Sequence, residues 1–434
     1  MKQAVILAGG AGLKLRPLTF LSPKPLLPLV NKPLLDYLVF ILKAAGITKV
    51  IMTTDYLSEI LETYVSEHPQ GLEWTFRRVN QYKGSAQLLC SFSEILEDTF
   101  MVLPGDCLFD ADLTRYLDEF KASDAAMGVL VRKEADLLGK GFLQTYQGYV
   151  LGTTQKLVPG ALSDAWIYVM KKRVLALVKS DYMDIHMDLL KAVISSGQAV
   201  KAFEMTGFWA VIGRIHPYMA TNFWILQNMD NPAHRGSSVA LDSSVSLTPP
   251  YFLDEGCVIG PGSELGPNVI LGKNVTIGAR SKLDNAMIDT GCTIGEACKI
   301  SHSVVSHDVV LEDSVLIGQM SLIAPYCKIK KGAVLKDGAR VGPHLTILER
   351  QLVSDILFPP DFATPAFRLH PTMPLSADES LICAKLQQGG EQPLSGLQTL
   401  TQLSEDALKT ALITLAEKKM ILSYGDTPVI YTLT

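Results

Sequence analysis

Hydrophobic positions change their rhythm twice along the chain. At first, short apolar runs at 4–7, 50–53, 101–103 and 127–131 alternate with stretches at 34–45, 57–66 and 86–96 whose apolar residues recur at helical spacing. The runs predict buried strands and the stretches amphipathic helices. Such alternation predicts an α/β domain, a mainly parallel sheet with helices on both faces. Ligands of such sheets bind outside the carboxyl ends of the strands.

From Leu241 onward the period becomes six. Aliphatic side chains fall at Leu241, Leu247, Leu253, Ile259, Leu265, Leu271, Ile277 and Leu283. A five-residue step leads to Ile288, Ile294 and Ile300, another to Val305, and the six-step resumes as far as Ile347. Neither a helix nor an alternating strand repeats at six. A triangular coil does, with one aliphatic residue pointing inward from each side, which predicts a parallel β-helix of about six coils.

After Arg350 both rhythms stop. Pro359, Pro360, Pro365, Pro371 and Pro374 mark a linker. Beyond it, 379–388, 394–403 and 405–420 read as helices, the last capped by Ser404, and 421–424 with 429–433 read as a hairpin around Gly425-Asp426. Three helices and a hairpin resemble a winged helix. The expected domains are 1–236, 237–349, a linker at 350–377, and 378–434.

Composition narrows the class. Of 434 residues, 48% are hydrophobic and 19% charged, and 39 basic against 44 acidic residues give a net charge of −5. The chain can bury real cores and has no global attraction for nucleic acid or anionic lipid. Seven cysteines without a C-x-x-C pair point to a reducing compartment, and no apolar run reaches membrane-spanning length. The expectation is a cytoplasmic protein. In the tail from Asp378, four lysines and no arginine face seven acidic residues. That balance favours a protein partner for the tail over DNA.

Candidate chemistry concentrates at the N-terminus. The first strand runs into Leu7-Ala-Gly9-Gly10-Ala-Gly12-Leu13-Lys14-Leu15-Arg16-Pro17-Leu18-Thr19, followed by Pro23-Lys24-Pro25-Leu26. Glycines let a backbone approach phosphate oxygens closely, and Lys14, Arg16 and Lys24 offer counter-charge. The segment is neither a P-loop nor the dinucleotide fingerprint.

The whole pattern resembles the signature G-G-x-G-T-R-L-x-P-L-T…P-K-P-L of the sugar-nucleotide pyrophosphorylases (nucleoside-diphosphate-sugar nucleotidyltransferases). Further matches follow in chain order. Gly84-Ser85-Ala86 is similar to the family's base-contacting G-T-A. Gly105-Asp106 is similar to the G-D whose aspartate binds magnesium. Lys156 stands where an E-K-P lysine holds the sugar phosphate, Ile167-Tyr168-Val169 resembles the G-I-Y-V strand, and Gly207-Phe-Trp209 resembles G-[YF]-W. The family often appends a left-handed β-helix, notably in mannose-1-phosphate guanylyltransferases and glucose-1-phosphate adenylyltransferases. The resemblance covers residues 1–349.

It implies a Rossmann-like nucleotidyltransferase domain that joins a sugar 1-phosphate to a nucleoside triphosphate and expels pyrophosphate. By position, Leu7, Gly9, Gly10, Gly12, Gly84 and Ser85 would bind nucleotide, Lys14, Lys24 and Asp106 would act in catalysis, and Lys156 would hold the sugar phosphate. Asp106 would hold Mg2+. The partners expected are a nucleoside triphosphate or nucleotide sugar and a homo- or hetero-oligomer built on the β-helix.

Several positions depart from the signature. Threonine–arginine is Leu13–Lys14, which keeps the charge but loses the bidentate fork. W-x-D-x-G is Trp209-Ala-Val211-Ile-Gly213, so Val211 replaces the second magnesium carboxylate and weakens that site. E-K-P reads Gln155-Lys156-Leu157, and Trp166 replaces the glycine of A-G-I-Y. A second reading follows, a catalytically degenerate regulatory or assembly subunit. A third, acyl transfer on the β-helix, has only His302, His307 and His344 to support it, and these read as corner residues. Asp164 reads as a surface loop residue, and His186 and His216 as unconnected.

Overall fold

The computed structural model describes residues 1–79, 83–133, 142–154, 160–180, 182–359, 376–389, 392–417, 421–424 and 430–433. It divides into two compact units. One comprises Met1–Ala11, Ser22–Pro28 and Lys32–Ile212; the other comprises Gly12–Leu21, Leu29–Asn31 and Gly213–Thr434.

The first unit is built on a nine-stranded sheet. Glu73–Arg78, Lys49–Thr54, Gln3–Leu7 and Thr99–Pro104 lie side by side and run parallel. These include three of the expected strands, and the helices Leu34–Ala44 and Ser58–Glu67 fall where the periodicity places them. The third helix is shorter than its pattern, Ser85–Cys90 followed by a 3-10 turn at Ser93–Ile95. Beyond Thr99–Pro104 the sheet is no longer parallel. The long strand Leu162–Lys171 runs antiparallel to both Thr99–Pro104 and Met127–Arg132. The sheet is therefore mixed rather than mainly parallel. Strand direction depends on how the chain returns, which apolar runs do not report.

In the second unit, strands of two or three residues form three parallel sheets of eight, seven and seven strands. Leu253 pairs with Leu271, one coil later at a spacing of three six-residue sides. The five-residue steps shorten the next coils, so that Leu271 pairs with Ile288 and Ile288 with Val305. The inward ladder Ile259, Ile277, Ile294, Leu311, Ile329 and Ile347 is at most 2% exposed. Fully burying each such side chain stabilises the coil by roughly 1.5–3 kcal/mol. The coils extend from Ala233 to Leu357, past both ends of the six-residue pattern, because the end rungs carry fewer aliphatic residues.

Cys257, Cys292, Cys298 and Cys327 point into this ladder. Burial pushes all four thiols up, Cys327 to about 11. A raised pKa depletes the reactive thiolate. Iodoacetamide at about pH 8 should therefore leave these four unmodified in the native protein and label them only after unfolding in guanidinium, as read by mass spectrometry.

The outer faces of the three sheets differ. In the second sheet Val258, Thr276, Thr293 and Val310 are exposed, whereas in the first Ile270, Met287, Val304, Leu322 and Arg340 are buried. Several segments of the same unit are bonded to the coils on that side. Asn31 donates to the Leu271 carbonyl and the Asp254 carboxylate, and Gln227, at the end of the helix Ile215–Gln227, donates to Asn268.

The C-terminal elements are Ala377–Gly389, Gln392–Pro393, Leu394–Thr401, Glu405–Glu417, Ile421–Tyr424 and Ile430–Leu433. The three helices and the antiparallel hairpin match the sequence pattern, and Ser404 Oγ accepts from the Ala407 amide as a cap. Gln392–Pro393 adds a third strand that the sequence reading lacks. The linker prolines from Pro360 onward and the Gly425-Asp426 turn lie outside the described residues. Among the described residues, no helix is long and apolar enough to cross a membrane.

Candidate active site

Two neighbouring parallel strands carry the site. Leu7 ends one and Pro104 the other, and they are register partners. The glycine turn and Gly105-Asp106 thus leave the carboxyl edge of the sheet side by side. The Gly105 amide donates to the Leu7 carbonyl over 2.8 Å. A Cβ on Gly105 would lie 2.8 Å from the Ala8 Cβ, so this approach requires glycine. The turn Lys24–Leu26 brings its lysine to the same place. Lys24 Nζ donates to Asp106 Oδ2, and Gly10 lies against the end of the Lys24 side chain. Gly9, Gly10, Lys24 and Asp106 therefore form one cluster. Leu7 supplies the strand end beneath it.

Some other expected site residues are not part of this cluster's unit or lie outside the described residues. Gly12 and Lys14 belong to the second unit, where Gly12 opens the 3-10 turn Leu13–Leu15. Lys156 lies outside the described residues. Arg16, a candidate phosphate cation in the sequence, is buried. It is 1% exposed, and its guanidinium lies over the Phe20 ring.

Gly84 and Ser85 form a tight junction with the segment 183–185. The Ala86 amide donates to the Met183 carbonyl, Ser85 Oγ donates to Asp184 Oδ1, and the Ile185 amide donates to Ser85 Oγ. Ile185–Leu189 is a single π-helical turn, an irregularity found frequently at functional sites.

That turn carries His186, and here the reading of Asp164 as a surface residue is overturned. Asp164 is 3% exposed and accepts three hydrogen bonds, from the Trp166 amide, the Tyr168 hydroxyl and His186 Nδ1, each at 2.6 Å. A buried carboxylate needs such donors, and the flanking sequence gives no sign that Tyr168 and His186 supply them. His186 Nε2 is buried and has no hydrogen-bond partner among the described residues. His216 is exposed, as its sequence context suggests. His302 sits beside Asp284 and Ser301, His307 beside Asp308, and His344 stacks on Tyr326, each a local corner contact.

The departures from the signature have structural consequences. Trp209–Val211 pairs antiparallel with Cys107–Phe109, and Val211 stands opposite Cys107. The Ile212 amide donates to the Asp106 carbonyl. The second carboxylate position is therefore kept in place but filled with methyl groups. Trp166 has a left-handed backbone, φ +61°, and its ring meets Trp209 edge-on with centroids 6.4 Å apart. Arg132 caps the other indole, its guanidinium 4.1 Å from the Trp209 ring. An edge-on pair of indoles occupies the place of the signature glycine.

Among the described residues, no group of three or more His, Cys, Asp or Glu side chains is arranged to hold a metal ion. Magnesium usually takes one or two carboxylates plus substrate phosphates. Here Asp106 is the carboxylate beside Lys24 and is paired with it, so a magnesium ion at this place would take most of its ligands from substrate phosphates and water. Asp55 was not anticipated from sequence. It follows the neighbouring strand Lys49–Thr54, its Cβ faces Gly9, and desolvation pushes its carboxyl up. Its position at the carboxyl edge of a predicted strand is the signal that marks it.

Residues 3–146 match the family model described as nucleotidyl transferase, and residues 247–356 match the GMPPB C-terminal domain. Mannose-1-phosphate guanylyltransferase 1 of Arabidopsis thaliana is 25% identical over 380 residues, spanning 82% of this chain and 99% of that protein. A UTP–glucose-1-phosphate uridylyltransferase of Synechocystis is 26% identical over 308 residues, spanning 59% of this chain and 79% of that protein. Among solved structures, a putative glucose-1-phosphate thymidylyltransferase from Bacillus anthracis is 23% identical with a TM-score of 0.48, covering 52% of this chain and 96% of the other.

Proposed function

We propose, from the premise that this chain joins a nucleotidyl transferase domain to a GMPPB C-terminal domain, that it binds a nucleoside triphosphate and a sugar 1-phosphate and forms a nucleotide sugar with release of pyrophosphate. The relatives named as transferases of this kind support the reaction class. The observation that carries the reading is the meeting of Gly10, Lys24 and Asp106 at the carboxyl edge of two adjacent parallel strands.

In this reading the turn at Gly9-Gly10 lets backbone amides approach the phosphates, and the Lys24 ammonium neutralises their charge. A phosphate oxygen of the sugar 1-phosphate attacks the α-phosphorus. The bond to the β-phosphate oxygen breaks, and pyrophosphate departs. The chain's contribution is in-line positioning and charge neutralisation, the two demands of phosphoryl chemistry. Gly84 and Ser85 border the base in this reading, and the phosphate roles of Lys14 and Lys156 rest on the resemblance to the family signature alone.

A specific observation favours the regulatory or assembly reading as the alternative. Val211 fills the second carboxylate position, and Trp166 the signature glycine. The C-terminal order of helix, strand, helix, helix, strand, strand supports a winged-helix reading of the tail. Its third helix opens on Glu405 and Asp406, and Lys409 is paired with Glu405. We infer that this tail contacts protein rather than nucleic acid, within a cytoplasmic oligomer.

Pyrophosphate release decides between the two readings. Purified protein with magnesium is crossed against the common nucleoside triphosphates and a panel of sugar 1-phosphates, beside Asp106→Ala. Turnover abolished in the variant is the expected result. A folded protein silent across the panel sinks the enzymatic reading.

A further inference from the structure

The glycine turn has a carboxylate on each side. Leu7 is the register partner of Pro104 on one neighbouring strand and of Thr53 on the other. Gly105-Asp106 and Thr54-Asp55 therefore leave the sheet on opposite flanks of Ala8-Gly9. Asp106 is paired with Lys24. Asp55 has no such cation. It is exposed, desolvation pushes its carboxyl up, and among the described residues no hydrogen bond or counter-charge offsets that.

Backbone fixes its place from both sides. The Ala8 amide donates to Thr53 Oγ1 over 3.1 Å, and the Val79 amide donates to the Thr54 carbonyl over 2.7 Å. A Cβ on Gly9 would lie 3.5 Å from the Asp55 Cβ, so the acid stands directly against the turn.

This layout gives the turn a polarity. The Lys24 flank suits phosphate, and an unneutralised carboxylate on the other flank repels it. Whatever meets Asp55 is therefore neutral and able to donate, because an ionised carboxylate only accepts. In a nucleoside triphosphate the group next to the phosphates is the ribose, and its adjacent hydroxyls match two carboxylate oxygens. Topology points the same way. Lys49–Thr54 is the next strand of the nine-stranded sheet after Gln3–Leu7 and lies parallel beside it. In doubly wound dinucleotide-binding sheets, an acid beyond the glycine turn takes the ribose hydroxyl. Asp55 offers the same chemistry although the glycine fingerprint of those sheets is absent.

We propose that Asp55 is a specificity-determining residue that accepts hydrogen bonds from the ribose hydroxyls of the nucleotide. The proposal rests on the nucleotide-binding reading above and adds to it a contact on the flank opposite Lys24.

The test titrates the full-length protein with GTP and UTP and with their 2′,3′-dideoxy forms, in a calorimeter and in chelating buffer so that metal plays no part. Wild type, Asp55→Ala, Asp55→Asn and Lys24→Ala are compared. Wild type should bind the ribose forms about tenfold more tightly than the dideoxy forms, the loss expected for a hydrogen bond to a charged group. Asp55→Ala should bind the ribose forms about tenfold more weakly and the dideoxy forms as well as wild type, so that discrimination vanishes. Asp55→Asn, which keeps one acceptor oxygen, should retain part of it. Lys24→Ala should weaken all the triphosphates and leave the discrimination intact. Since Asp55 is exposed, Tm should be unchanged in both of its variants. An Asp55→Ala protein that still discriminates as wild type does overturns the proposal. So does an equal loss for ribose and dideoxy forms, or a loss confined to GTP in both forms, which marks a base contact. A wild type that binds triphosphates without regard to the ribose hydroxyls overturns the proposal alone. One that binds no triphosphate overturns the nucleotide-binding reading and the proposal with it.

Discussion

Replacing Lys24 by alanine should weaken nucleoside triphosphate binding by about 10- to 100-fold, the cost of a charge-assisted hydrogen bond worth roughly 1.5–3 kcal/mol. Lys24 is the cation that the fold brings to Gly10 and to the end of the strand Thr99–Pro104, with 18% of its side chain exposed. A partly desolvated ammonium interacts more strongly with phosphate than one in open water. Its partner should show the opposite sign. In a chelating buffer, Asp106→Asn should leave binding unchanged or tighter, because it removes a negative charge beside the phosphates and releases Lys24 from its ion pair. Isothermal titration at two salt concentrations checks both variants, and the wild-type affinity should fall as salt rises. Equal loss in the two variants would mean that the pair acts as a structural bridge, and the phosphate role of Lys24 would be lost.

Much of this arrangement was legible before any coordinates. The inward ladder of the β-helix declares itself because six-residue spacing suits no other regular structure, and Leu311, Ile329 and Ile347 stand three six-residue sides apart as the period requires. The buried outer face was written in the same sequence and passed unread. The first sheet carries apolar pairs, Ile270-Leu271, Met287-Ile288, Val304-Val305 and Leu322-Ile323, where the second sheet carries polar–apolar ones such as Thr276-Ile277 and Thr293-Ile294. A sustained run of such pairs goes with a covered outer face, whereas the isolated Val258-Ile259 and Val310-Leu311 of the second sheet keep their first residue exposed.

The site was legible where neighbouring strands fix it and illegible where distant side chains do. Gly10 and Asp106 lie just past the carboxyl ends of two parallel strands, as the strand pattern suggests, while Lys24, in the turn Lys24–Leu26, was marked only by the resemblance to the family signature. Asp164 follows from neither. Its burial depends on Tyr168 four residues ahead and on His186 from a separate helical turn, and only their meeting makes the carboxylate internal. Arg16 reads incompletely for a similar reason, since a cation in a glycine-rich loop suggests phosphate, and only the fold shows its contacts with Phe20 and Arg340.

Gly84→Ala should be among the most damaging single changes to the first unit. Its backbone has φ +89° and ψ 153°, a region open to glycine and strained for other residues by about 1–3 kcal/mol. A Cβ there would lie 2.3 Å from the Met183 carbonyl oxygen, and that neighbour is backbone, so the segment 183–185 must move. Together the strain and the displacement should cost about 3 kcal/mol or more, a fall of about 6–12 °C in Tm for a domain of this size. The movement should spread along bonded neighbours. Ser85 Oγ loses Asp184 and the Ile185 amide, and His186 is the next residue along. A conservative control separates stability from function. Ser85→Ala removes the hydroxyl without steric conflict and should cost only about 1 kcal/mol. If Gly84 and Ser85 border the base, Ser85→Ala should alter selectivity among nucleoside triphosphates while Tm barely falls. If that selectivity is untouched, the junction with 183–185 is structural, and base recognition belongs to other residues.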